Sequence, residues 1–275
     1  MQKIKFSATY FNPKSTLECG QLFRFKEFEK GYLVFSKDKA CYIYSQGEET
    51  FIECESADVD YFFNYFDLAR DYSKIYQSAV ECNIPAVITS ANVGKGIRIL
   101  NQEINETVIS FIISQNNHIP RIKGIISRIC EKVGKEREFM GEKYFTFPEI
   151  SHLCQKDESF FAGIGAGYRA KYLSVTSKAL ASGVLSGAEN LEENQLRKLI
   201  ISLQGVGPKV ADCIALFAFH KTQAFPVDTW VEKVYREDFN GTLTDREKIA
   251  EYFRQTFGEN GGYVQQYLFY AKREG

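Results

Sequence analysis

The first fifth of the chain alternates short hydrophobic runs with turn-forming residues. Each run is rich in β-branched and aromatic residues, a composition typical of strands. Pairs such as Glu29-Lys30 and Gln46-Gly47 interrupt the runs, and turns this short join antiparallel neighbours. The predicted strands cover residues 21–28, 31–36, 40–45 and 50–54. This pattern predicts an antiparallel meander.

A different hydrophobic period takes over at about residue 103, where apolar residues recur every three or four positions. This period predicts helices with one buried face. Helices are expected over residues 105–113, 119–133, 169–180, 192–203, 208–219, 229–236, 245–257 and 262–273. Shorter helical segments are expected at 61–66 and 71–82, and Asp228 and Thr244 are expected N-caps. The pattern predicts an α+β fold, with an N-terminal antiparallel β-sheet lobe, a larger α-helical bundle and a cleft between them.

Small residues at positions 90–96 form the clearest break in the pattern. We therefore predict an N-terminal sheet domain over residues 1–95 and a helical domain over residues 96–259. The last helix, within residues 260–275, is expected to pack back against the first domain and complete it.

Composition narrows the class of protein without deciding its function. The formal net charge of −1 argues against a protein that coats nucleic acid nonspecifically, although an enzyme with one basic face fits. The 7 cysteines are widely spaced without a CxxC pair and the 3 histidines are isolated, so we expect reduced thiols and no zinc site. Because neither a signal-peptide core nor an apolar run of about 18 residues is present, we expect no membrane partner. The expectation is a cytoplasmic monomer, nucleoid-associated if the protein is bacterial.

The residues between two of the predicted helices carry the strongest chemical signal. Gly205 and Gly207 suit a tight turn that side chains would block, and Pro208 suits the first position of the next helix. Free backbone N–H groups at such a turn favour a phosphate. Lys209 lies on the first turn of that helix, and Asp228 starts another one. Taken singly, these features also occur in an ordinary helical hairpin, a solvated lysine and an N-cap, but together they indicate chemistry on DNA.

Residues 203–228 resemble the helix–hairpin–helix, glycine- and proline-rich loop and aspartate of the base-excision DNA glycosylases. Their details, Gly-Val-Gly-Pro-Lys-Val-Ala-Asp-Cys and Pro-Val-Asp, are similar to the 8-oxoguanine DNA glycosylase/AP lyase branch. Further similarities follow in order over roughly residues 17–270. They lie at a pocket loop (19–24), an intercalating segment (111–121), a wedge (165–172) and a C-terminal pocket helix (265–269).

The resemblance implies an enzyme whose partner is damaged double-stranded DNA. Such an enzyme flips 8-oxoguanine out of the duplex opposite cytosine, excises it through a lysine Schiff base and cleaves the abasic strand by β-elimination. Lys209 is the implied nucleophile, and Asp228 is the implied carboxylate that stabilises positive charge on the sugar. Burial and the positive end of its own helix are expected to lower the pKa of Lys209.

The resemblance also implies roles in holding the base and the DNA. Phe269 and Cys213 would sandwich the flipped purine, Gln265 would read its pairing edge, and the Gly20 carbonyl would accept from its N7 hydrogen. The implied DNA contacts are Asn116 in the gap left by the base, Tyr168 as a wedge, Arg121 and Arg169 at the orphaned cytosine, and the backbone N–H groups of Gly205 and Gly207 at a phosphate.

The chain also departs from the family pattern. Trp230 stands where eukaryotic members have a histidine, and His118 and Pro120 flank the intercalating turn. No cysteine follows Cys213, so we expect no iron–sulfur cluster and no required cofactor.

Two alternatives stay open. The chain could be a glycosylase for another oxidised or alkylated base, although alkylation glycosylases of this fold typically use an aspartate without the hairpin lysine. It could also be a non-catalytic DNA-binding module that uses the hairpin only to hold phosphate. The resemblance further implies a monovalent or divalent cation on the backbone carbonyls of Leu203 and Val206.

Overall fold

The computed structural model describes the backbone of residues 1–274 and the side chains of residues 1–273. A five-stranded antiparallel sheet forms the N-terminal lobe, with strand order β1-β5-β4-β3-β2. Its strands are β1 (Gln2–Ser7), β2 (Phe25–Phe28), β3 (Gly31–Ser36), β4 (Lys39–Gln46) and β5 (Glu49–Cys54). The predicted meander is confirmed for β2 to β5. The sequence pattern misses β1, because this edge strand is mostly exposed and only Ile4 and Phe6 mark a partly buried face.

Helices account for most of the other described residues. They are α1 (Pro13–Glu18), α2 (Val59–Tyr65), α3 (Tyr72–Val80), α4 (Pro85–Val93), α5 (Ile104–Ser114), α6 (Ile119–Val133), α7 (Ile150–Leu153), α8 (Glu158–Gly163), α9 (Ala170–Ala181), α10 (Glu193–Ile201), α11 (Pro208–Phe219), α12 (Thr229–Asp238), α13 (Arg246–Phe257) and α14 (Gly261–Glu274). Helices α1 and α2 share a core with the sheet. A two-stranded hairpin, β6 (Glu136–Phe139) and β7 (Glu142–Phe145), follows α6. Within residues 1–274, no helix combines the length and the apolar character that a membrane crossing needs.

Three sequence expectations about boundaries are wrong. The first predicted strand begins at Phe25 rather than at residue 21, because the preceding residues form a loop held by side-chain hydrogen bonds. Asp245, not Thr244, caps α13, and its carboxylate accepts from the backbone N–H of Glu247 at 2.8 Å. The small-residue stretch at 90–96 is helical up to Val93, since α4 runs into it.

Helices α5 and α11 form the centre of the bundle. Most residues of both helices are buried, and Phe111 stacks on Phe217 across their contact with 5.4 Å between ring centroids. Pro208 opens α11 where no backbone donor is needed, and His220 ends it in a left-handed conformation at φ +50°. Because a close-packed helix has little freedom to shift, α11 holds Lys209 at a fixed point.

The last helix, α14, contacts both lobes. It packs on α4 of the N-terminal part and on α12 and α13 of the bundle. This placement brings Phe269 against the loop at Gly20, where a Cβ added to the glycine would lie 3.1 Å from Cε1 of the ring. The domain boundaries stay predictions.

A buried ion pair fixes the sheet lobe against the bundle. Arg24, in the loop before β2, lies 3.1 Å from the carboxylate of Glu106 on α5, and both side chains are buried. The other terminal nitrogen of Arg24 donates to the Phe145 carbonyl at 2.7 Å. Losing either partner would leave a buried charge alone, so the pair maintains the placement of the two lobes.

Candidate active site

The turn between α10 and α11 is the predicted hairpin, and its two glycines differ. Gly205 is left-handed at φ +83°, and a Cβ there would lie 2.4 Å from Cγ of Tyr172. Gly207 has φ −91°, and apart from the glycine and its two chain neighbours no atom of the described residues lies within 4 Å of a Cβ placed on it. The fold therefore requires Gly205, whereas Gly207 leaves open space at the N-terminus of α11. The expectation that a side chain at Gly207 crowds the turn itself is wrong, and only a ligand on that surface would be crowded.

The backbone carbonyls of the turn are partly engaged. The Gln115 side chain donates to the Gly205 carbonyl at 2.8 Å and ties the hairpin to the intercalating segment. The Val206 N–H donates to the Leu203 carbonyl at 3.0 Å. A carbonyl has a second lone pair, so a cation on Leu203 and Val206 fits the turn and stays a prediction. The described residues hold no cluster of three or more His, Cys, Asp or Glu suited to a metal.

Lys209 is half-buried on the first turn of α11. Its Nζ lies 5.8 Å from the centre of the Phe111 ring, and Cys213 follows one helical turn later. Asp228, from the loop before α12, lines the same cavity. The structure thus brings together the amine and the carboxylate that the sequence places 19 positions apart.

Asp228 is also the N-cap of α12. Its Oδ1 accepts hydrogen bonds from the backbone N–H groups of Trp230 and Val231, each at 2.9 Å. These bonds fix the carboxylate on a helix end, and a role of Asp228 in the reaction stays a prediction.

The pKa of Lys209 moves in the opposite direction from the sequence expectation. Burial is the largest single influence and lowers the pKa, but Cys213, Asp228 and Asp212 together favour the ammonium and raise the pKa of Lys209 above its ordinary value. Burial also raises the pKa of Cys213 to about 11. The sequence expectation weighed burial and the helix end but left out Asp212 and Cys213 on the next turn of the same helix and the charge of Asp228.

The residues predicted to bind the base line one small cavity. These are Gly20, Cys213, Gln265 and Phe269, together with Lys209 and Asp228. The cavity has a volume of about 40 Å³, far less than a purine needs. The Phe269 ring packs against the backbone at Gly20 on one side of this cavity. A flipped base therefore requires the cavity to widen.

The loop that carries Gly20 is anchored by the next residue. The buried Gln21 donates from Nε2 to the carbonyls of Thr16 at 2.8 Å and Arg98 at 2.7 Å. Its Oε1 accepts from the Leu100 N–H at 2.9 Å. Gly20 itself is left-handed at φ +84°, a conformation that favours glycine. The loop therefore presents a fixed backbone to the cavity, and the role of the Gly20 carbonyl stays a prediction.

The intercalating segment and the wedge lie side by side. Asn116 is exposed and left-handed at φ +44°, and its Nδ2 lies 3.4 Å from the hydroxyl of Tyr168, which is 54% exposed. That hydroxyl in turn donates to the Gln115 carbonyl at 3.4 Å. Arg121 is exposed and makes one hydrogen bond, from Nη2 to the Gly165 carbonyl at 3.2 Å.

Arg169 takes a different position from the one expected. It is 2% exposed, and its guanidinium donates to the backbone carbonyls of Gln115 at 2.8 Å, Asn116 at 3.0 Å and Ala166 at 3.2 Å. It supports the turn that presents Asn116. Most donors of Arg169 are thus engaged by backbone carbonyls, and its implied contact with an orphaned cytosine stays a prediction.

An open groove of about 480 Å³ is lined both by residues of the small cavity and by residues of the intercalating segment. Asn116, Gly207, Lys209, Asp228 and Phe269 all line it. The groove is where a duplex could meet the hairpin and the cavity at once. Trp230, which is 42% exposed, stands on its wall where its ring is available to a ligand.

Sequence reasoning missed three residues of the site. Gln115 tethers the hairpin, Phe111 forms part of the cavity wall beside Lys209, and Gln266 contributes a second buried amide next to Gln265. The glutamine doublet within the otherwise apolar and aromatic stretch 263–271 is the signal that could have found Gln266.

Two family models match the chain consecutively. Residues 3–108 match the N-terminal domain of 8-oxoguanine DNA glycosylase. Residues 109–259 match the HhH-GPD superfamily of base excision DNA repair proteins.

Individual proteins and solved structures are also similar. A probable N-glycosylase/DNA lyase of Methanothermobacter thermautotrophicus is 34% identical over 232 residues, which cover 76% of this chain and 73% of that protein. The structure of Clostridium acetobutylicum 8-oxoguanine glycosylase/lyase, bound to double-stranded DNA with cytosine opposite 8-oxoguanine, has a TM-score of 0.92 and 38% identity, and covers 97% of this chain and 93% of that one. A 3-methyladenine DNA glycosylase of Archaeoglobus fulgidus, at 18% identity, 99% coverage of both chains and a TM-score of 0.81, shares the fold.

Proposed function

The chain belongs to the HhH-GPD superfamily of base excision DNA repair proteins, and we propose that it is a bifunctional 8-oxoguanine DNA glycosylase and AP lyase. Its partner is damaged double-stranded DNA. The observation that carries the proposal is a single cavity lined by Lys209, Asp228, Gln265 and Phe269. An amine, a carboxylate and contacts for a flat base are the parts that lysine-dependent base excision requires.

These residues account for each step of the reaction. With the base flipped into the cavity, the free amine of Lys209 attacks C1′, and the bond from C1′ to the base breaks. The base leaves with the bonding electrons and takes up the proton that the attacking amine loses. The C1′–O4′ bond then breaks, O4′ takes up a proton from solvent, and a protonated Schiff base remains between C1′ and Lys209. Removal of a C2′ proton then expels the 3′ phosphate. The Asp228 carboxylate stabilises the positive charge that develops on the sugar.

A panel of duplexes, each with one lesion, tests the function. We expect base release and strand nicking with 8-oxoguanine opposite cytosine, and little with 3-methyladenine or an oxidised pyrimidine. Preferential release of an alkylated base would favour the first alternative. Retarded migration of every damaged duplex without release or nicking would favour a DNA-binding module.

The two hairpin glycines should respond differently to substitution by alanine. Gly207→Ala should leave the melting temperature unchanged, because apart from its two chain neighbours a Cβ there meets no protein atom of the described residues within 4 Å. It should weaken binding to all duplexes by roughly tenfold, the effect of losing one hydrogen bond to a charged phosphate. Gly205→Ala is the matched comparison and should destabilise the fold, since its Cβ would collide with Tyr172. A loss of binding restricted to one lesion would contradict a backbone contact to phosphate.

Preference for cytosine opposite the lesion should depend on Arg121. Cytosine offers two adjacent acceptors on its pairing edge, whereas adenine places a donor beside its acceptor. A buried donor left unpaired costs about 1–3 kcal/mol, so cytosine should be preferred roughly five- to a hundredfold. Arg121→Ala should flatten this ratio. Arg169→Lys is the comparison, and should lower excision opposite both bases about equally, because Arg169 supports the turn at Asn116.

Rates opposite cytosine and adenine, measured under single turnover, give the ratio directly. Equal activity of the unsubstituted protein on both duplexes would contradict a reading role for Arg121. If only Arg169→Lys changes the ratio of excision opposite cytosine to excision opposite adenine, Arg169 rather than Arg121 reads the opposite base.

A further inference from the structure

The C-terminal helix carries two adjacent amides into the base cavity. Gln265 is 4% exposed and Gln266 is 3% exposed, and both line the cavity. Their buried neighbours on the same helix are Tyr263, Tyr267 and Leu268. Buried amide groups in native proteins almost always have hydrogen-bond partners, so each end of each amide needs one.

The backbone decides how the two amides are oriented. The Pro226 carbonyl can only accept, so Gln265 must face it with Nε2, at 3.3 Å. The Oε1 of Gln265 then faces its neighbour and accepts from Nε2 of Gln266 at 2.7 Å. This order leaves Oε1 of Gln266 as the end of the chain of bonds. That oxygen is buried, and none of the described residues donates to it.

The free acceptor matches one edge of the proposed substrate. The pairing edge of 8-oxoguanine presents, in a row, the acceptor O6, the donor N1–H and the donor exocyclic 2-amino group. Gln265 keeps one hydrogen on Nε2 and one lone pair on Oε1, which suit O6 and N1–H. Gln266 lines the same cavity and has a buried amide oxygen without a donor among the described residues, and the group of the base that follows N1–H is the 2-amino group.

We propose that Gln266 is a second base-reading residue, whose Oε1 accepts a hydrogen bond from the 2-amino group of the flipped purine. The inference rests on the proposed function and names the feature of the substrate that the site selects. A purine without that amino group would leave the buried oxygen unpaired. A site built to hydrogen-bond a group discriminates strongly against an analogue that lacks it.

The test compares 8-oxoguanine with 8-oxohypoxanthine, which differs only by the missing 2-amino group, each opposite cytosine. Single-turnover excision is measured for the unsubstituted protein, for Gln266→Met, which keeps the length of the side chain without an acceptor, and for Gln266→Glu, which keeps an oxygen. A duplex with a preformed abasic site is the control, because nicking there needs Lys209 but no base contact.

The unsubstituted protein should prefer 8-oxoguanine by roughly 5- to 150-fold. Gln266→Met should reduce this ratio at least tenfold and Gln266→Glu should largely preserve it, with each rate of base excision compared with the rate at which the same variant nicks the abasic duplex. Comparing ratios between variants cancels the intrinsic difference between the two lesions. If Gln266→Met fails to nick the abasic duplex, its excision rates do not report on base contacts. The ratios of the unsubstituted protein and of Gln266→Glu then test the inference.

Two results would overturn the inference while leaving the function intact. One is release of 8-oxoguanine by the unsubstituted protein with no preference over 8-oxohypoxanthine. The other is an equal loss on both lesions in Gln266→Met, which would assign Gln266 to positioning Gln265 only. Failure of the unsubstituted protein to release 8-oxoguanine would instead overturn the proposed function.

Discussion

The Lys209→Gln variant should bind a duplex containing 8-oxoguanine but should neither release the base nor cross-link to the DNA in borohydride. The reason is that an amide cannot form a Schiff base, so the covalent route is lost. Excision should fall on the order of a thousandfold or more, as expected when a covalent nucleophile is removed. The measurement is single-turnover base release, with borohydride trapping scored on the same duplex.

The matched control for this variant is Lys178→Gln. Lys178 is an exposed lysine in the last turn of α9, away from the cavity, so its loss should leave trapping and release unchanged. Similar melting temperatures for both variants would show that the fold is retained. Normal trapping and nicking by Lys209→Gln would mean that another amine is the nucleophile.

Much of the framework of the site could be predicted because it depends on local signals. The predicted bounds of α6 and α11 match the structure, since a hydrophobic period of 3.6 residues and an early proline mark both helices. The glycines of the hairpin and the aspartate at the start of α12 are likewise encoded by short segments. Features that depend on a short segment of the chain, such as a helix start or a glycine turn, could therefore be predicted from the sequence.

The remaining features depend on partners that are distant in sequence. Arg169 has most of its donors engaged by carbonyls some 50 positions away, and no local pattern distinguishes this from a free arginine. The pKa of Lys209 reflects a balance between burial and acidic neighbours, so its direction needs all of them in place. The amide of Gln266 acquires its orientation from Pro226 through Gln265. Such roles follow from packing rather than from residue type.

Asp228→Asn should reduce excision nearly as much as Lys209→Gln does, while leaving the fold intact. The amide oxygen can still accept from the N–H groups of Trp230 and Val231, so the cap of α12 is kept. The charge that stabilises the developing positive sugar is lost, and excision should fall on the order of 10²- to 10³-fold with binding retained. Asp157→Asn makes the same change at the N-cap of α8 and should have no effect on excision. Asp228→Ala should also cost stability, about 1 kcal/mol, because the cap is removed.

The pH dependence of these variants separates charge from capping. Only the free amine of Lys209 can attack the sugar, and its fraction increases with pH up to the pKa of this residue. Because that pKa is raised, excision by the unsubstituted protein should still be rising above neutral pH. Asp228 is one of the groups that raise this pKa, so its neutral replacement should lower the pKa of Lys209 and move the rising limb to lower pH. Single-turnover rates between about pH 6 and 10, around the ordinary lysine value, would show the shift. If Asp228→Asn lowers the maximal excision rate but leaves the pH of the rising limb unchanged, Asp228 is not coupled to Lys209. If the variant unfolds without a separate loss of excision, Asp228 acts as a helix cap alone.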